Sequence, residues 1–144
     1  MKKTIAAIIF TALLSGCQTA DETTTSSTPI AVTGATAGAI ADDMASRLAE
    51  QVGPAGTTTL KMEKDTSEYA AALEAALKGW GYKVIIDGKA DKDQKPVEIA
   101  WSIDSFDGQV LARISTPTIA LGRSYTATSA GATPASPLSI MQRN

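Results

Sequence analysis

The dipeptide Asp107-Gly108 stands between two runs of alternating apolar residues. Before it, PVEIAWSIDSF carries Val97, Ile99, Trp101 and Ile103 at alternate positions, with Glu98, Ser102 and Asp104 between them. Successive strand side chains point to opposite faces, so the first set shares one face and the second set the other. Asp-Gly supplies the positive φ angles of a two-residue hairpin turn. With those two residues as the turn, Ile103 falls opposite Ala112, Trp101 opposite Ile114, and Ser105 opposite Val110. Most apolar residues then share a face, with Leu111 the exception. A slip of one residue would turn that whole set to the other face, so the pattern specifies its own register.

Upstream, the apolar period lengthens. Residues 36–52 carry Ile40, Met44, Leu48 and Val52 at i, i+4 spacing, flanked by Ala41 and Ala45. That stripe predicts an amphipathic helix, ended by Gly53-Pro54. Asp42 and Asp43 are neighbours on it, about 100° apart, and cannot converge on one substrate; both are expected on the solvent face. The Gly34-x-x-x-Gly38 spacing reads as small residues at a helix start. In SEYAAALEAALKGWG, Tyr69, Leu73, Ala76, Leu77 and Trp80 form a second stripe, opposite a Glu74–Lys78 pair. Asp65 is expected to cap this helix, with Glu68 three residues on; Gly79 and Gly81 stop it.

Short strands are expected at 57–62, at 82–86 and over TIALGRSYTA, which offers Ile119, Leu121 and Tyr125. The order is helix, strand, helix, then strands. It predicts an α+β fold of two layers, two helices against a mainly antiparallel sheet of four or five strands. The expected boundaries are a domain over 36–126 and a flexible tail over 127–144, where no period is legible although Leu138, Ile140 and Met141 could dock.

The N-terminus has a different logic. Met1-Lys2-Lys3 is followed by eleven uncharged residues, TIAAIIFTALL, and then Ser15-Gly16-Cys17. The apolar run is shorter than the ~20 residues a membrane span takes, and it fits a signal peptide. Small residues abutting a cysteine resemble the lipobox of bacterial lipoproteins. On that reading 1–16 is removed, and Cys17 is lipidated and anchors the chain. Gln18 rather than Asp beside the cysteine favours the outer membrane by resemblance to lipoprotein sorting. Residues 17–35 are the lipidated Cys and a polar tether expected to be disordered. A tether of 18 residues spans roughly 23 Å.

Composition then narrows the chemistry. The chain has no His and one Cys. The commonest general base and metal ligand is therefore absent. Lipid on Cys17 leaves no thiol for a disulfide or zinc site. Loss of Lys2 and Lys3 takes the formal charge from −2 to −4, and no basic patch supports nucleic-acid binding. Asp87, Asp91, Asp93 and Glu98 span a calcium-loop length, but Lys92 stands where that loop needs Gly, and Lys89 occupies a ligand position. A solvated loop is the expectation. Trp80, Trp101, Tyr69 and Tyr82 read as core rather than a ligand box; stripes and alternation already account for the first three, though not for Tyr82. No catalytic, cofactor or metal residue is assigned, and the chain is not expected to be an enzyme.

The lipobox, the Thr/Ser tether, the Ala-rich helix, DTSEYAAALEAALKGWGYKVII and the SIDSFDGQVLARIS hairpin together resemble the TrbH family of plasmid conjugal-transfer lipoproteins. The resemblance covers essentially the whole chain and carries over Cys17 alone as a functional residue. It implies membership of the mating-pair-formation apparatus, a type IV secretion system in the donor envelope. The implied place is the outer membrane, facing the periplasm, with other transfer-channel proteins as partners. An exclusion or other envelope-assembly lipoprotein is the competing reading.

Overall fold

In the computed structural model, residues 32–88 and 95–144 are described. Residues 1–16, Cys17, the tether as far as residue 31, and the loop acids Asp91 and Asp93 lie outside them. The described chain forms α1 (Gly34–Ala49), β1 (Thr59–Met62), α2 (Glu68–Gly79), β2 (Lys83–Ile86), β3 (Val97–Phe106), β4 (Gln109–Ser115), β5 (Ile119–Thr128), β6 (Gly131–Pro134) and β7 (Ser139–Gln142). The fold is α+β, with two helices and a mainly antiparallel sheet. The strand order is β2-β1-β3-β4-β5-β6, and β7 also pairs with β5.

The β3–β4 hairpin has the register its alternation demands. Trp101 lies opposite Ile114, Ile103 opposite Ala112, and Ser105 opposite Val110. Asp107 (φ 51°) and Gly108 (φ 75°) both take the left-handed conformation of the turn. At the other end of the sheet β1 runs parallel to both β2 and β3. A parallel pair needs a crossover, and α2 supplies it between β1 and β2.

The helices bury their stripes: Ile40, Met44 and Leu48 from α1, and Tyr69, Leu73 and Leu77 from α2, are each 0% exposed. They meet Trp101, Ile103, Ala112, Ile114, Leu121 and Tyr125 from the sheet in one core. Each large aliphatic or aromatic side chain so buried stabilises the fold by about 1.5–3 kcal/mol. Glu74 and Lys78 pair at 2.6 Å.

Five expectations are corrected. The sheet has seven strands rather than four or five, and the expected tail over 127–144 supplies the additional two. β6 lies along Tyr125–Thr128 and β7 along Ile119–Gly122, on the same edge of β5. Between them residues 135–138 face only Arg123 and Ser124, so the chain bulges there. The Ala135 amide donates to Ser124 O (2.8 Å), and the Ser124 amide donates to Ser136 Oγ (3.0 Å). The domain also begins before residue 36. Val32 is buried and α1 opens at Gly34. The cap of α2 is Ser67, whose Oγ accepts from the Ala70 amide at 3.1 Å. Asp65 instead accepts from the Ser67 amide and faces its hydroxyl, both at 3.0 Å. Trp80 is 53% exposed rather than core. It sits past the last turn of α2, and the helical wheel ceases to predict direction there. Finally, only one of the two adjacent aspartates faces solvent.

Candidate functional site

That last correction concerns Asp43. Its Oδ2 accepts from Tyr125 Oη at 2.7 Å and from Arg123 Nη1 at 3.0 Å. Asp42, one position back, is exposed. The 100° step between them turns Asp43 toward β5 and leaves Asp42 in water. Desolvation, then the bond to Asp43 and its charge, push the Tyr125 hydroxyl well above the ordinary tyrosine range. Burial does the same to Tyr69. Tyr69 Oη has no hydrogen-bond partner among the described residues. This cluster fastens α1 to the sheet. Both donors meet the same oxygen, and Arg47 Nε lies 3.7 Å from the other, so the carboxylate serves as a structural joint.

The expected site residues are dispersed. Cys17 is outside the described residues. Asp87 and Glu98 are exposed, and Glu98 pairs with Lys61 at 3.7 Å. Among the described residues no three of His, Cys, Asp and Glu gather as metal ligands. Tyr82, which no sequence pattern placed, is buried and donates to Gly53 O at 3.0 Å.

A concave surface lies on the face of the sheet opposite the buried one. Strand parity puts Ala100, Ser102, Leu111, Arg113, Ser115, Ala120, Gly122, Ser139 and Met141 on that side. Their small central side chains leave an open groove of about 720 Å³, bounded by Pro137, Met141 and Arg143. Arg113 lies over Gly122: a Cβ there would come within 3.8 Å of Arg113 Cγ. Arg143 is held at the groove's end by two bonds. Its amide donates to Thr118 O (2.8 Å) and its Nη1 to Thr116 O (3.2 Å). The groove lining holds Arg113, Arg123 and Arg143 and no acidic residue. Arg123 is neutralised by Asp43; Arg113 and Arg143 form no ion pair among the described residues. The leucine that broke the hairpin pattern, Leu111, lines this groove. It was the legible trace of a second surface.

Such a face can bind by shape, charge and backbone pairing; its lining holds no His, Cys or carboxylate to act as base or nucleophile. The model for "Conjugal transfer protein TrbH" matches residues 18–144. The chain belongs to the TrbH family. It is 66% identical, over 148 aligned residues covering the whole of both chains, to the "probable conjugal transfer protein TrbH" of Sinorhizobium fredii (strain NBRC 101917 / NGR234). No solved structure matches this TrbH-family chain significantly. No described helix is long and apolar enough to cross a membrane.

Proposed function

We propose that this chain is a lipoprotein of the conjugal-transfer apparatus, anchored through Cys17 to the outer membrane and facing the periplasm. Its role is structural: the α+β domain docks on a larger protein of the transfer channel while the lipid holds it at the membrane. The observation that carries the reading is the TrbH match over 18–144, which assigns the chain to conjugal transfer. The lipobox at 14–17 and the groove lining without catalytic groups support the anchor and the docking role. An anchor raises effective concentration near membrane partners, and is partly redundant with a good interface.

Deletion of the gene in a donor should therefore cut transfer strongly. Cys17→Ser, exported by an ordinary signal peptide, should restore part of it. An exclusion protein behaves otherwise: the deleted donor transfers normally, and expression in a recipient blocks uptake. That pair of results would replace the channel reading.

A further inference from the structure

The two strands on the outer edge of β5 are protected unequally. β6 lies against α1. Thr36 Oγ1 donates to Gly131 O at 3.0 Å, and a Cβ on Gly131 would come within 3.0 Å of Ala39 Cβ and 3.2 Å of Ala35 O. β7 packs substantially only on β5. Its sequence, Ser-Ile-Met-Gln, has no charge, proline or bulge within it, the usual devices that blunt an edge. Ile140 is 45% exposed and Met141 62%, on opposite faces of the strand. The far edge of the sheet, β2, opens with Lys83, the only one of its four residues that is exposed.

Hydrogen-bond parity shows which backbone groups of β7 are open. The Arg143 amide donates to Thr118 O. In an antiparallel pair bonded residues alternate, so Met141 and Ser139 also turn their amides toward β5. The N–H and C=O groups of Ile140 and Gln142 therefore point away from the sheet.

Charge identifies what could add there. Arg143 follows β7 directly. Arg113 extends across Gly122, which pairs with Ser139 of β7. Both guanidinium groups lie on the groove face without an ion pair. Arg143 also borders a neighbouring hollow with Glu63, Asp87 and Glu98, none of which reaches ion-pair distance of it; Glu98 is tied to Lys61, and Asp104 on β3 lies on the far side of Arg113 from β7. A second copy is a poor occupant. Pairing β7 with itself would gather four arginines on one face. A four-residue edge also supplies little of the roughly 1,200–2,000 Å² that stable interfaces bury.

We propose that β7 is a strand-addition site for an extended, acidic segment of a partner protein. The incoming backbone pairs with Ile140 and Gln142, and its carboxylates meet Arg113 and Arg143. This deepens, and rests on, the reading that the domain acts by docking.

The probe is an acetylated, amidated hexapeptide of alternating Glu and Val, added to the full chain in detergent micelles. Its lysine counterpart and a version N-methylated at alternate residues serve as controls. Binding should slow amide exchange at Ile140 and Gln142, whose N–H groups are open, and weaken with salt. Replacing Arg113 and Arg143 together by Ser should weaken it by about tenfold or more, the scale of a charged hydrogen bond lost. Ile140→Pro removes an outward N–H, which edge strands tolerate, along with a half-exposed side chain. It should abolish binding while the melting temperature holds; Gln142→Pro serves if that variant fails to fold. Equal binding of the lysine peptide would overturn the charge argument, and equal binding of the N-methylated peptide the strand pairing. No binding, or protection of the same amides by self-association alone, would overturn the partner. In each of these cases the transfer defect of the deleted donor would still stand or fall by itself.

Discussion

Asp43 and Tyr125 meet at 2.7 Å across 82 positions of sequence, and Arg123 reaches the same carboxylate oxygen from the same strand. A helix whose buried stripe is apolar thus gains a polar joint to the sheet from one part-buried acid, besides the Thr36–Gly131 bond near its start. Removing Asp43 would leave a phenol and a guanidinium without their acceptor. Asp43→Ala should cost about 2–4 kcal/mol, since a buried charged partner is lost. Asp42→Ala should stay within about 0.5 kcal/mol, as surface changes do. Denaturant unfolding of the two variants checks this, and equal small effects would remove Asp43 from the joint.

The hairpin offers a second contrast. Trp101 is 2% exposed and lies opposite Ile114. Trp101→Ala should cost about 3–5 kcal/mol, as large aromatic truncations do. Glu98→Ala and Asp104→Ala lie on the other face and should each cost less than about 1 kcal/mol. Thermal melts of the three variants are the measurement.

Tyrosine ionisation sets the alkaline limit. Tyr69 and Tyr125 have folded pKa values raised above the unfolded value of about 10. Their protonated forms are held only by the fold. This stability is whole below pH 10 and is lost as pH rises above it, because the unfolded chain then releases protons that the native one keeps. Each group contributes a slope of about 1.4 kcal/mol per pH unit. Burial raises Tyr82 as well, so Tyr69→Phe should remove one of three tyrosine contributions to the slope. At pH 7 it should leave stability unchanged or higher, because the hydroxyl has no partner. Melting temperatures between pH 8 and 11 decide it.

Cys17 is tested by chemistry rather than stability. Growth with labelled palmitate should mark the protein. Cys17→Ala should abolish the label and leave an uncleaved precursor. A labelled alanine variant would end the lipobox reading of Leu14-Ser15-Gly16-Cys17.

The elements legible from sequence are those whose signals are local and repeated. Asp107-Gly108 and the alternation on either side gave a register in which every pairing is tied to every other, so a slip would have cost the whole apolar face. The stripes of α1 and α2 repeat over three turns or more, and Glu74–Lys78 depends only on helical spacing. Tertiary structure decided the rest. β6 and β7 show no alternation of buried and exposed residues, and exist because β5 offers them a free edge. Ser67 displaced Asp65 as the cap because helix α2 begins two residues later than the acid implies. Trp80 left the core because its position depends on where the helix stops and what lies beyond. Asp42 and Asp43 are chemically identical in sequence, and only the placement of Arg123 and Tyr125 on a distant strand separates them. The groove had one local sign, Leu111 on the wrong face of its strand. Its arginines became a surface only when β4, β5 and the chain after β7 came together, since a charge pattern spread over three strands has no sequence period to betray it.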